Sequence, residues 1–206
     1  FQLAHAAYYG IGAYTTGLLM VALGWGFIPA IICSIIITGC LSLLVSIPAW
    51  RFRSDYFVML SLAVQVTIYS LLYNWTGLTK GPFGITGIPK PTILGYKIDT
   101  LPNMFILSTV IAIICGVILY VLLRSPWGKA LKAMRDDELA ARGLGKNTRL
   151  FKLQAFLIAC SMVALAGGLY ATYVSYIDPT SFTLDESILM LSMVIVGGTG
   201  NFRGPI

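Results

Sequence analysis

An all-α, polytopic bundle of transmembrane helices is the fold class that three observations predict. Apolar residues make up 57% of the 206-residue chain and charged residues 11%, whereas soluble domains carry about a quarter charged residues. Apolar runs of about twenty residues recur, the length that crosses a hydrocarbon core at about 1.5 Å per residue. Residues 124–152 form the one long polar passage, holding eight of the fourteen Lys and Arg and three of the eight Asp and Glu, so five of the six net positive charges sit there. A basic loop between spans is what the positive-inside bias produces, so no nucleic-acid partner is expected.

About six spans are expected, near residues 6–23, 28–50, 56–73, 104–123, 153–177 and 183–196. In the first, Ala6/Gly10 and Ala13/Gly17 stand four apart, as do Ala164 and Gly168 in the fifth, followed by Ala171; such spacing lets helices approach closely. Thr183 and Glu186 have capping-box spacing at the start of the sixth, and Asp185 and Glu186 complement a helix N-terminus. The chain opens at Phe1 without Met and stops within a glycine-rich passage, so residues 1–206 are read as one transmembrane domain truncated at both ends.

Residues 74–103 hold Gly77, Gly81, Pro82, Gly84, Gly87, Pro89, Pro91, Gly95 and Pro102. That density of breakers makes a long loop, while Trp75, Phe83, Ile85 and Ile88 argue for an ordered one. Alternating spans with residues 124–152 inside put eleven Lys and Arg on the cytoplasmic side, including Arg51, Arg53 and Arg203, against Lys80, Lys90 and Lys97 outside. The 74–103 loop, the Gly24 turn and the Asp178–Glu186 junction then face outward.

Within the polar passage, Ser125 can cap a helix that opens on Pro126. Trp127, Ala130, Leu131, Met134 and Glu138 recur at helical spacing, with Lys129, Lys132, Arg135, Asp136 and Arg142 in other sectors. Gly143 and Gly145 are the terminators, and Asn147 or Thr148 caps the next span. The expectation is one short amphipathic helix from Pro126 to Arg142 that rests on lipid, docks into a partner's groove or links two spans.

Few residues inside the spans carry chemistry. Gln65 must face other helices or a pathway, since lipid disfavours an unpaired amide. His5, the only histidine, is a packing residue or a pathway residue at the end of the first span. Gly197, Gly198 and Gly200 belong to a helix ending or a re-entrant turn near a pathway. Cys33, Cys40, Cys115 and Cys160 lie in apolar runs without metal-ligand spacing and read as packing residues. With no set of nucleophile and base or of metal ligands, neither an intramembrane enzyme nor a resident cofactor or metal is expected.

Asp137-Glu138-Leu139-Ala140-Ala141-Arg142-Gly143 resembles the Glu-Ala-Ala loop of bacterial ABC importer permeases. Further passages resemble the branched-chain amino acid permease family in order: residues 3–14 (LAHAAYYGIGAY), Ser54-Asp55-Tyr56-Phe57, Gly84-Ile85-Thr86-Gly87-Ile88-Pro89 and residues 124–131 (RSPWGKAL). Ala166-Gly167-Gly168-Leu169-Tyr170-Ala171, Asp178-Pro179-Thr180-Ser181-Phe182 and Gly197-Gly198-Thr199-Gly200 follow. Ala4 and Lys80-Gly81-Pro82-Phe83 depart from the family's usual forms. The second departure falls in the outer loop and leaves urea or short amides open as substrates.

The resemblance implies a permease of the bacterial inner membrane with no catalytic residue of its own. It implies two ATP-binding cassette subunits, a second permease and an extracytoplasmic solute-binding protein as partners. Without a Gly-x-x-x-x-Gly-Lys-[Ser/Thr] loop, ATP acts through the partner subunit. Arg135, Asp137, Glu138, Ala140, Ala141 and Gly143 are the implied ATPase-coupling residues, and His5, Gln65, Gly197, Gly198 and Gly200 the substrate-path candidates. The rival class, an ion-coupled carrier or channel, calls for charges buried within spans, which this reading places only near span ends.

Overall fold

The computed structural model describes residues 2–49, 54–93, 96–145 and 147–198. In chain order it contains α1 (His5–Ala22), α2 (Phe27–Ala49), α3 (Ser54–Asn74), the single turn α4 (Thr76–Thr79) and a 3₁₀ turn at Gly81–Phe83. Strands β1 (Ile85–Thr86), β2 (Thr92–Ile93) and β3 (Tyr96–Lys97) follow, then α5 (Leu101–Arg124), α6 (Pro126–Asp136), α7 (Glu138–Gly143) and α8 (Thr148–Val174). Strand β4 (Tyr176–Ile177), a 3₁₀ turn at Pro179–Phe182 and α9 (Leu184–Gly197) complete the described chain.

The all-α bundle agrees with the sequence, but the span count needs correction. Among the described residues, four helices are long and apolar enough to cross a membrane: Phe27–Ser46, Tyr56–Asn74, Leu101–Arg124 and Thr148–Val174. The first and sixth expected spans are of another kind. Helix α1 is rich in Gly, Tyr and Thr and is enclosed by its neighbours, with eleven of its eighteen residues buried. A helix walled by protein does not need the uniform apolarity that lipid contact demands. Helix α9 has fourteen residues, about 21 Å at 1.5 Å per residue, well short of a full crossing.

Helices α1 and α8 run parallel and in step. Tyr8 clusters with Cys160, Gly12 meets Ala164 and Thr16 meets Gly168, each pair four residues beyond the last. A Cβ on Gly12 would stand 2.4 Å from the Ala164 carbonyl oxygen, and one on Gly167 would stand 2.1 Å from that of Tyr9. These glycines set the helix separation, because real Cβ atoms do not approach so closely. The Ala164/Gly168 seam is therefore real, whereas Gly10 and Gly17 of α1 face Phe182 and the pair Ile88/Ile177 instead.

Helix α2 covers the α1–α8 pair through buried Ser34, Thr38 and Ser42, and Ser34 Oγ donates to the Gly12 carbonyl at 3.0 Å. Such polar contacts between apolar helices are effective because neither partner can turn to water instead. Helix α5 is the outlier: no residue in its most apolar stretch is buried, leaving a largely apolar surface for lipid or protein.

The 74–103 passage is folded. Thr79 is buried, with Oγ donating to the Leu72 and Trp75 carbonyls and accepting from Gly81 N–H. Strand β1 pairs antiparallel with β4, Ile85 opposite Ile177, and β2 pairs with β3. Ile85, Ile88 and Ile177 bury against Ala13, Tyr14 and Phe182, so the passage is the lid of the α1–α8 core. Its far edge shifts from expectation, because Pro102 occupies the first turn of α5, where a missing N–H costs nothing.

Candidate functional site

Two places bring the singled-out residues together: a junction at mid-membrane depth and the α6–α7 element at one end of the bundle.

The junction is built around the N-terminus of α1. Ala4 gives that helix no side-chain cap, so its first N–H groups need partners from elsewhere. Gln65, 1% exposed, supplies one: its Oε1 accepts from Ala7 N–H at 2.7 Å. Ser187 Oγ accepts from Ala6 N–H at 2.9 Å and donates to Gln65 Oε1 at 3.3 Å, while Gln65 Nε2 donates to the Phe182 carbonyl at 2.9 Å. Ser61 Oγ accepts from Leu3 N–H at 3.0 Å. Gln65 therefore spends both ends of its amide on α1 and on the turn preceding α9.

This set also fixes depth. In the span Tyr56–Asn74, nine residues lie on either side of Gln65. Cys160, beside Tyr8, likewise lies near the centre of Thr148–Val174. The N-termini of α1 and α9 thus meet level with the middle of the apolar spans of α3 and α8. Phe182, 1% exposed, is the wedge that brings the chain down from the β1–β4 ribbon. Its ring lies on Gly10 and against Tyr9, Tyr14 and Tyr170, with centroids 5.6, 5.9 and 6.3 Å away.

The Asp178–Glu186 junction, expected to face outward as a whole, has its two ends at different levels of the bundle. Asp178 stays by the ribbon, accepting from Ser181 Oγ at 2.6 Å and from Thr180 Oγ1. Asp185 and Glu186 lie in the first turn of α9, just before Ser187. Thr183 makes no side-chain cap bond, so the expected capping box does not form. Among the described residues, neither carboxylate has a hydrogen bond or ion pair, and both are exposed. A carboxylate facing lipid at the bilayer centre costs about 2.5–3.5 kcal/mol on insertion scales. The surface carrying these two groups consequently looks onto protein or water.

The other path candidates are less involved. His5 opens α1 and is half-buried beside the junction. Gly197 closes α9, and Gly198 follows at φ +97°, a backbone conformation that favours glycine. Gly200 lies outside the described residues.

At the Arg124 end the expected single amphipathic helix is two helices, and Asp137 is the reason. Its backbone is extended and its Oδ1 accepts from Leu139 N–H at 2.8 Å and Ala140 N–H at 3.0 Å, stopping α6 and capping α7. Ser125 caps α6 as expected, accepting from Gly128 N–H at 3.4 Å, and Asn147 caps α8 by accepting from Leu150 N–H at 3.4 Å. Gly128 fits against the end of α5, where a Cβ would stand 2.3 Å from the Leu123 carbonyl oxygen. Trp127 Nε1 donates to Gln154 Oε1 at 2.8 Å, tying α6 to α8.

Glu138 ties α7 to the same helix. Its Oε2 accepts from Lys152 Nζ at 2.6 Å and its Oε1 from Arg142 Nη2 at 2.8 Å, and Arg142 Nε donates to Thr148 Oγ1 at 3.1 Å. The Lys152 hydrogen bond holds the Glu138 carboxyl below its ordinary range, outweighing the opposing effect of partial burial, and Arg142 adds to the lowering. Ala141 is buried, whereas Arg135, Ala140 and Gly143 are exposed. Leu139 and Leu144 are the apolar residues that α7 and its end present to solvent, at 78% and 81% exposure. Sequence periodicity passes over both, because they lie off the α6 stripe.

The whole chain, residues 1–206, matches the family model described as branched-chain amino acid transport system / permease component. It is 33% identical, over 97% of its length, to the high-affinity branched-chain amino acid transport system permease protein LivM of Escherichia coli. To LivM of Salmonella typhimurium it is 32% identical over 97%, and in both cases it covers 52% of the relative. A probable LivM of Methanocaldococcus jannaschii is 27% identical over 77% of the chain and 46% of that protein. The chain thus spans about half the length of the curated relatives it matches. No solved structure matches it. With a family model covering every residue and spans that suit a multi-pass membrane protein, the chain belongs to the branched-chain amino acid transport system permease family.

Proposed function

We propose that the chain forms the membrane pathway of an ATP-driven importer that carries branched-chain amino acids across the bacterial inner membrane. Its partners on this reading are two ATP-binding cassette subunits, a second permease and an extracytoplasmic solute-binding protein. The observation that carries the proposal is the α6–α7 element. It is a polar, two-helix projection at one end of an apolar bundle, each of its helices fastened to α8, and it presents Arg135, Leu139, Ala140, Gly143 and Leu144 outward. A loop that only joined two spans would need neither fastening. ATP acts through the partner, and the α6–α7 element receives the movement.

The substrate path runs past the mid-membrane junction, where two helices begin and where, among the described residues, the Asp185 and Glu186 carboxylates have no ionic partner. Irregular backbone at that depth is tolerated where it is enclosed by protein or lines a cavity. His5, Gln65, Gly197 and Gly198 belong to the frame of this path, with Gln65 holding its shape. Urea or short amides are the competing substrates, and uptake itself separates them.

The test is reconstitution of the full-length permease with its partner subunits in vesicles, with radiolabelled leucine and urea as alternative cargo. ATP-dependent accumulation of leucine is the expected result. Leucine movement that continues without the ATPase would replace the importer with a carrier, and urea accumulation would replace the substrate class.

A further inference from the structure

On the reading that α6–α7 receives movement from an ATPase, we propose that Glu138 is a positioning residue. It acts as an internal latch that hands the displacement of α7 to α8, rather than as a contact for the ATPase.

Three observations carry this. First, both carboxylate oxygens of Glu138 are already engaged within the chain, one by Lys152 of α8 and the other by Arg142, which itself reaches Thr148 in the first turn of α8. Second, the large apolar side chains that α7 and its end leave exposed are Leu139 and Leu144. Third, α8 is the helix best placed to carry a displacement inward. Lys152 lies two residues from Gln154, where Trp127 attaches α6, so both helices grip one turn of α8. From that turn α8 runs to the Gly12/Ala164 and Gly167/Tyr9 contacts, where its backbone lies too close to that of α1 to admit a methyl group. Helix α1 must then follow α8, and the N-terminus of α1 is the mid-membrane junction itself.

Exposed ion pairs contribute little to stability, so a latch of this kind is expected to reveal itself in coupling and not in folding. The test uses the complete transporter, reconstituted in vesicles, with Glu138→Lys, Lys152→Glu and the double exchange. Uptake per ATP hydrolysed is read alongside co-purification of the ATPase. Each single exchange should lower uptake per ATP by roughly tenfold, within the usual span of coupling between sites, while the ATPase stays bound. The double exchange reverses the pair, placing the carboxylate on α8 and the ammonium on α7 beside Arg142, and should recover coupling above either single exchange without reaching the parent. Glu138→Gln, which keeps an acceptor oxygen and no charge, should fall in between, and it remains informative if an exchange variant fails to fold.

Loss of the ATPase from Glu138→Lys alone, with Lys152→Glu fully coupled, would make Glu138 a direct contact and overturn the latch. A double exchange no better than the singles would overturn it as well. Failure of the parent chain to bind any ATPase strikes the underlying importer reading instead, and is distinguishable because it precedes every substitution.

Discussion

Gly12 and Ala164 touch backbone to backbone, with no room between α1 and α8 for a single methyl group: a Cβ at Gly12 would lie 2.4 Å from the Ala164 carbonyl oxygen and 2.5 Å from its Cα. The obstructing atoms are main chain, so no rotamer change relieves the clash. Overpacking of this kind costs about 1–3 kcal/mol. Gly12→Ala and Gly167→Ala should each lower the thermal midpoint of the purified protein, whereas Gly77→Ala, in open space, should leave it unchanged. Equal behaviour of the three in a melting experiment would show that the seam is not closed.

Replacing Gln65 with Leu removes the acceptor for Ala7 N–H and the donor for the Phe182 carbonyl together. An unsatisfied buried group costs about 1–3 kcal/mol, and no water is at hand to replace the bond at this depth. The expected outcome is a markedly less stable protein. Hydrogen exchange should show the first turn of α1 opening before the rest of the bundle, and unchanged protection at Ala6 and Ala7 would refute the account.

Glu186 discriminates between two uses of a first-turn carboxylate. As a partner for the helix dipole it is worth about 0.3–1 kcal/mol of stability and nothing in transport. As a charge on the path it matters to the cargo. Glu186→Gln is expected to leave folded protein in the membrane and to cut uptake roughly tenfold, equivalent to about 1.4 kcal/mol. Undiminished uptake would return the residue to a purely local role.

The Glu138 latch has a defined pH dependence. Its carboxyl is held below the ordinary value of 4.5, chiefly by the Lys152 hydrogen bond. A carboxyl with a lowered value binds its proton more weakly in the folded protein than in the unfolded chain. Its stabilisation is therefore complete above the unfolded value and is lost as pH falls through the folded one. An NMR titration of the Glu138 carboxyl should give a midpoint below 4.5, with coupling insensitive to this group from about pH 8 to pH 5.5. A midpoint at or above 4.5 would mean that the pair is not formed in solution.

Much of this architecture is written locally. The four long apolar helices, the Ser125 cap with Pro126 behind it, the Asn147 cap and the ordered 74–103 passage all follow from neighbours within a few residues. The break at Asp137 is just as local but hidden, because Trp127, Ala130, Leu131, Met134 and Glu138 keep helical spacing straight through it. Only the Asp137 side chain, able to accept from the next turn, marks the stop. The mid-membrane junction is illegible for a different reason. Its bonds join residues 58 to 181 positions apart, and nothing near Ala4 or Thr183 signals that partners will come from α3 and α9. The dip of residues 179–187 escapes a sequence reading on the same account, since it depends on Phe182 finding the bare surface of Gly10.

The tertiary cap on α1 carries a consequence for biogenesis. Helix α1 is completed by a residue made much later than its other partner, since Ser187 is 122 residues beyond Gln65. At about 5–20 residues per second, a ribosome takes roughly 6–24 s to deliver that serine. Throughout that interval the Ala6 amide lacks its serine acceptor, and Gln65 lacks the Phe182 carbonyl. The nascent α1 should accordingly linger at the insertion machinery or near the membrane surface, and take up its final depth only when α9 arrives.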